Sequence, residues 1–221
     1  MKDNILELFP TPIFCRNLNS NLFVDELLVI KQKINEKDTF EISRSKNLTT
    51  IEGFILDNWK LSKIKREIAK AVKTFADEIL CFNYDNFYIT QSWININPPG
   101  SSHHTHKHIN SVLSGVLFLN TFEGCGNIKF YSDQYTQHFS PKVTFKEDNR
   151  FTWGHYYVKP VNYDLLIFPS HLQHCVDKNI TSDGKRISLS FNTFFTPLGD
   201  DLEKTLLPNL DRLNSEKNIY D

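Results

Sequence analysis

The sequence has no apolar run approaching membrane-spanning length, no CxxC pair among its four cysteines, and no surplus of one charge. Each absence removes a class of protein. A transmembrane helix needs about 20 consecutive apolar residues, and Met1-Lys-Asp-Asn leads only into a short apolar stretch broken at Pro10 and Pro12, which is not the build of a signal peptide. Cys15, Cys81, Cys125 and Cys175 are scattered, which predicts reduced thiols rather than a disulfide framework. With 25 basic and 26 acidic residues the net charge is -1, so charge marks out neither nucleic acid nor an anionic membrane as a partner. The expectation is a soluble, cytoplasmic protein, and nothing in the composition speaks to its oligomeric state. What is present, 221 residues of which 40% are hydrophobic, suits one well-packed domain.

Helical patterns come first. From Leu61 to Leu80 the residues Leu61, Ile64, Ile68, Val72, Phe75 and Ile79 recur at three- and four-residue steps, which predicts an amphipathic helix. Leu22 to Ile34 predicts an earlier helix with Asn21 as its cap. The polar stretch Glu41 to Thr50 separates the two. From Asn86 onward, short β-branched and aromatic runs alternate with turn residues. Strands are predicted near Phe87–Ile96, Ser111–Leu119, Asn127–Tyr131, Lys142–Phe145, Gly154–Val158, Leu165–Phe168 and Arg186–Phe195. Helices followed by strands give an α+β, mainly β fold: a helical part over about 20–82, a barrel core over about 86–196, and a tail over 198–221 that reads as a helix or a loose end.

Four of the eight histidines, His103, His104, His106 and His108, crowd into one short stretch. On a strand, residues two apart share a side, so either His104 with His106 or His106 with His108 offers two imidazoles to one metal ion. The third ligand falls most naturally on His174, just after the apolar strand that ends in Phe168-Pro-Ser, with His171 as the competitor. A histidine-rich surface loop that binds metal only adventitiously has similar standing for the cluster alone.

The strand Arg186-Ile-Ser-Leu-Ser-Phe-Asn192 alternates Ile187, Leu189 and Phe191 with Arg186, Ser188, Ser190 and Asn192. If the polar side faces solvent, it is an ordinary half-exposed strand. If it faces a barrel lumen, a guanidinium and a hydroxyl two residues apart form a fork for a carboxylate. Gln91, Trp93 and Asn95 alternate in the same way, and they either line the lumen or serve only as core and cross-strand partners. Substrate-selecting lids are expected over Glu41–Thr50 and Lys142–Tyr157, with Trp153, Tyr156 and Tyr157 either as substrate contacts or as parts of the barrel.

His106-Lys-His108-Ile-Asn-Ser-Val-Leu-Ser-Gly-Val-Leu-Phe-Leu resembles the metal-binding strand and following strand of 2-oxoglutarate/iron(II) dioxygenases, in particular a subgroup from marine bacteria and tailed phages with an HxH pattern. The resemblance continues through Gly126-Asn-Ile-Lys-Phe-Tyr-Ser-Asp133, Phe168-Pro-Ser-His-Leu-Gln-His174 and Arg186 to Asn192, and the opening Leu8-Phe-Pro-Thr-Pro-Ile13 fits it too. It covers most of the chain from Leu8 to Asn192. It implies a double-stranded β-helix of jelly-roll or cupin type that binds Fe(II), with 2-oxoglutarate and O2 as co-substrates. By position it implies His106, His108 and His174 as iron ligands, and Arg186 with Ser188 at the far carboxylate of 2-oxoglutarate. Asn95 is the lumenal amide grouped with them. Aligned on Ser114 and Gly115, the resemblance leaves His103 and His104 on the approaching loop, and a slip of the ligand pair to His104 and His106 stays open.

The implied reaction is hydroxylation of a small molecule or a protein side chain with release of succinate and carbon dioxide. His108 stands where the family usually has a carboxylate, which leaves the centre one negative charge short. A three-histidine iron site also resembles the cupin-type thiol dioxygenases, which need no 2-oxoglutarate. A barrel that binds metal or ligand without catalysis is the reading outside enzymology.

Overall fold

The structure is a computed structural model, and it describes residues 9–36, 38–132, 146–147 and 149–196. Helix α1 (Val24–Ile34), the short α2 (Ile55–Asn58) and α3 (Ser62–Thr74) lie on one face of a large sheet. Leu61, Ile64, Ile68, Val72 and Phe75 are buried there, as their spacing predicts. Ile79 departs from the pattern. The helix continues past Thr74 as a π turn (Phe75–Ile79) closed by the Leu80 N–H on the Phe75 carbonyl at 3.0 Å, and this wider turn shifts the helical phase so that Ile79 is 56% exposed.

The helix starts also differ from expectation. Asn21 does not cap α1. It sits in a 3-10 turn (Ser20–Leu22) whose cap is Asn19, and Phe23 precedes α1 with no side-chain cap bond. The N-terminus of α3 is capped from outside, by the buried Glu26 of α1, whose carboxylate accepts from the backbone N–H of Lys63 at 2.7 Å and of Ile64 at 2.8 Å. A carboxylate there satisfies donors that lack intrahelical partners and complements the helix dipole, and it also ties the two helices together.

The large antiparallel sheet has the order β1 (Phe14–Asn17), β9 (Asp164–Pro169), β6 (Leu113–Asn120), β11 (Arg186–Thr196), β4 (Asn86–Asn97), β3 (Leu48–Thr50) and β2 (Phe40–Ile42). Across a lumen lies a smaller antiparallel sheet with the order β5 (His103–His106), β10 (His174–Val176), β7 (Ile128–Tyr131) and β8 (His155–Val158). The two sheets form a double-stranded β-helix. Five strands, β1, β2, β3, β5 and β10, lie where sequence patterning predicts none. β1 precedes the helices. The polar stretch Glu41–Thr50 is largely a hairpin, β2 and β3, that extends the large sheet, and β5 is the histidine run itself. The expected strand Lys142–Phe145 and the tail 198–221 lie outside the described residues.

Alternation along the strands of the large sheet separates two cores. Ile94, Ile96, Leu117, Leu165, Ile167, Leu189 and Phe191 pack with the helices, whereas Val116, Phe118, Leu166 and Phe168 meet Ile128, Phe130 and Leu172 of the facing side. Gly115 on β6 has a packing reason, since a Cβ there would lie 2.3 Å from the Phe191 ring and 2.8 Å from the Leu166 carbonyl oxygen. All four cysteines are free thiols. Among the described residues no helix is long and apolar enough to cross a membrane.

Candidate metal centre and anion pocket

Register builds the site. His106 on β5 is opposed to His174 on β10, His174 to Phe130 on β7, and Phe130 to Tyr156 on β8, so one rung crosses the whole small sheet with its side chains on one face. His108 lies just beyond β5 and turns back toward the rung. The ring centroid of His174 lies 4.3 Å from that of His106 and 5.2 Å from that of His108, and one ligand nitrogen from each of the three lies within 4.8 Å of the others. His171, the sequence-level competitor of His174, is exposed and belongs to neither histidine cluster of the described residues.

Two hydrogen bonds fix the protons on these rings. His106 Nδ1 lies 2.8 Å from the His104 carbonyl oxygen and His174 Nδ1 lies 2.9 Å from that of Leu172. A carbonyl only accepts, so each Nδ1 carries the proton and each Nε2 presents its lone pair to the site. Burial disfavours the imidazolium form, pushing His174 down to about 3, His108 down to about 4, and His106 below the usual histidine range. All three rings are therefore neutral at physiological pH, the form a metal ion requires. The Phe168 and Phe130 rings lie 4.8 and 5.8 Å from His174 and wall this end of the lumen with hydrocarbon.

The loop carrying His108 is held from behind. The His108 N–H donates to the Ser170 carbonyl at 3.0 Å, and the Ser170 hydroxyl meets those of Ser111 at 2.8 Å and Ser114 at 2.7 Å. Ser114 then donates to Asn192 Oδ1 at 2.7 Å, and the Asn192 amide to Gln91 at 2.9 Å. Ser114 and Asn192 are thus structural polar residues that anchor the loop to the large sheet.

Opposite the imidazoles, a cavity of about 40 Å³ is lined by Arg186, Ser188 and Ser190 of β11 and by Trp93, Asn95 and Asn97 of β4. Arg186 is 1% exposed, with its guanidinium carbon 5.1 Å from the centroid of the Phe118 ring. Burial lowers its pKa to about 10, which still leaves it charged at neutral pH. Its Nε and Nη1 have no hydrogen-bond partner, and neither does Nδ2 of Asn97. Arg186 and Asn97 are directly opposed in the β4–β11 register, so these donors face the same cavity, whose lining contains no Asp or Glu. Leaving a buried donor unpaired costs about 1–3 kcal/mol, and more for a charged group. Such a set calls for an anion.

Asn97 was not among the residues singled out from the sequence. Asn95 was, and it does line the cavity, but its amide is already engaged: Oδ1 accepts from Thr49 at 3.0 Å and Nδ2 donates to Ser190 at 3.2 Å. The Glu41–Thr50 stretch, expected as a lid, thus reaches the site as a strand partner. His103 and His104, expected on a loop, belong to β5, and the His103 ring stacks on His106 with centroids 4.6 Å apart. Trp153 and Tyr156 are partly exposed with ring centroids 5.0 Å apart at the β8 end of the rung, while Tyr157 lies on the other face, where the Lys129 ammonium is 5.1 Å from its ring centroid.

Residues 91–192 match a family model described as "Putative 2OG-Fe(II) oxygenase". That span contains all four strands of the small sheet, the three histidines, Asn97 and Arg186. No curated protein matches the chain. Solved structures with the same fold include a prolyl-4-hydroxylase from Pseudomonas putida at 15% identity and a TM-score of 0.51, covering 82% of this chain and 92% of that one. A prolyl hydroxylase from Trichoplax adhaerens, solved with a hypoxia inducible factor peptide, gives 12% identity and a TM-score of 0.56 over 89% of this chain and 87% of that one. An oxidoreductase of the 2OG-Fe(II) oxygenase family from Burkholderia pseudomallei gives 13% identity and a TM-score of 0.54 over 82% and 83%.

Proposed function

We propose that the protein is an iron(II)- and 2-oxoglutarate-dependent oxygenase that hydroxylates its substrate, with iron held by His106, His108 and His174. One observation carries the reading: three unpartnered, buried N–H donors on Arg186 and Asn97 face the same cavity as three convergent imidazoles. A metal site alone leaves those donors unexplained. A ligand with one end for the metal and a carboxylate at the other accounts for both halves, and 2-oxoglutarate has that form. The family match over residues 91–192 supports the same chemistry.

The residues divide the work. His106 and His174 hold their Nε2 lone pairs toward the ion because their Nδ1 protons are committed to backbone carbonyls. His108 is placed by the Ser170 carbonyl and the hydroxyls behind it. The buried Arg186 guanidinium offers unpartnered N–H donors to the distal carboxylate, Asn97 adds another, and Ser188 lies beside them on the same strand face. Iron(II) held by the three imidazoles would activate O2, the oxidant, with 2-oxoglutarate as the co-reductant, for C–H hydroxylation with succinate and carbon dioxide as co-products. Phe118, Phe130 and Phe168 pack together on the lumen side and keep water from it, and the partly exposed Trp153 and Tyr156, at the β8 end of the rung, are the candidate substrate contacts.

In the test, the protein loaded with iron(II) is given 2-oxoglutarate under air and succinate is measured. Succinate is expected from the wild type and is suppressed in Arg186→Ala. Unchanged succinate formation in that variant, or a wild type that retains no iron, sinks the reading. A three-histidine dioxygenase that works without 2-oxoglutarate gives a different pattern: oxygen uptake with a thiol substrate and indifference to 2-oxoglutarate.

A further inference from the structure

The three-histidine centre leaves two imidazoles of the cluster unused, and these are not dispersed. His103, His104 and His106 form a second triplet whose ligand nitrogens also lie within 4.8 Å of one another. The two triplets overlap at His106. Its ring stacks on His103 at 4.6 Å and 24° on one side and meets His174 at 4.3 Å on the other. The triplets differ in access, since His174 is buried whereas His104 is exposed.

We infer that His103, His104 and His106 form an outer seat for a divalent transition-metal ion, that this seat cannot be filled while the inner one is, and that the ion enters through it. The exclusion follows from the protons on His106. Its Nδ1–H is held by the His104 carbonyl, so Nε2 is its one lone pair, and one lone pair serves one ion. Three imidazole nitrogens suit iron(II), cobalt(II), nickel(II) or zinc(II), whereas calcium and magnesium prefer oxygen ligands. Tetrahedral coordination at the usual metal–nitrogen distance brings ligand nitrogens to about 3.4 Å from one another. Side-chain rotation has to close the remaining gap at either seat, and the exposed His104 is the freest to move. An ion held by His103, His104 and His106 needs only to exchange His103 and His104 for His108 and His174, with His106 as the pivot.

This inference rests on the inner seat proposed above, and the experiment separates the two. Metal-free full-length protein is titrated with cobalt(II), read by its visible d–d absorption, in the wild type and in His174→Ala, His108→Ala, His104→Ala and the double variant His104→Ala/His174→Ala. Circular dichroism checks that each is folded. The wild type is expected to bind one equivalent. His174→Ala and His108→Ala each break the inner seat yet keep one equivalent, with an altered spectrum, and the double variant loses it. His104→Ala keeps the inner site at full stoichiometry but loads more slowly in stopped flow. A wild type that binds no ion overturns the inner site as well. A folded His108→Ala or His174→Ala protein that binds nothing overturns the outer seat alone. Two equivalents in the wild type overturn the exclusion, and unchanged loading in His104→Ala overturns the entry route.

Discussion

The two faces of the large sheet are made by the same strands and obey opposite rules. On β11, Leu189 and Phe191 enter an apolar layer with the helices, while Arg186 and Ser188 on alternate positions line the lumen and are also buried. On the helix side, burial contributes free energy directly, at about 25 cal/mol per Å² of apolar surface. On the lumen side, the buried donors of Arg186 and Asn97 cost stability until a ligand satisfies them. One face secures the fold and the other holds it ready for an anion.

Substitution can break that contrast. The largest effect is expected from Leu189→Ala on the helix side, which should lose about 2–5 kcal/mol in denaturant unfolding through the cavity it leaves. Gly115→Ala forces a methyl group against the Phe191 ring and the Leu166 carbonyl oxygen, and should lose about 1–3 kcal/mol. Acid provides a graded test of the lumen. The unfolded chain takes up histidine protons near pH 6.5, whereas burial holds His108 down to about 4 and His103 and His174 down to about 3 in the folded protein. The unfolded state therefore binds more protons between these limits, so metal-free protein should be most stable above pH 6.5 and lose stability steadily as pH falls toward 3. Melting temperatures that stay flat across this window contradict the neutral-imidazole assignment.

Smaller effects sharpen the comparison. Glu26→Ala removes the external cap of α3 and should cost about 0.5–2 kcal/mol while leaving metal and 2-oxoglutarate binding unchanged, as calorimetry can check. Arg186→Met is the informative extreme. It replaces a buried, unpaired charge with a flexible apolar chain over Phe118, so the melting temperature of the ligand-free protein should stay level or rise. With iron(II) present, 2-oxoglutarate should raise the melting temperature of the wild type but not of this variant. A marked loss of ligand-free stability in Arg186→Met means that the arginine serves the fold.

Alternation made much of this legible in advance. The period-two pattern of β11 placed Arg186 and Ser188 on one side, and the short histidine spacing brought His106 and His108 near one metal position. His174 was the favoured third ligand from its place after an apolar strand, and the family resemblance set it above His171, because strand patterning does not reveal which distant strands pair. The same limit hid β1, β2 and β3, which are short, partly polar and stabilised by non-local partners such as the Thr49–Asn95 hydrogen bond. Asn97 was within reach. It continues the face of Gln91, Trp93 and Asn95, and it precedes Pro98, a position that favours extended backbone, so the strand could have been carried one residue beyond Ile96. Neither the external cap by Glu26 nor the phase change at the π turn leaves a local pattern to read.

The rung of His106, His174, Phe130 and Tyr156 has a consequence for assembly. Because side chains alternate sides, sliding β5 by one residue against β10 turns His106 outward and brings Thr105 into its place. The pair of imidazoles exists in one alignment of the small sheet and in no adjacent one. Occupancy of the His106–His108–His174 seat is therefore a gauge of strand alignment: a chain that has folded one notch out of step is compact, yet cannot close His174 on the ion.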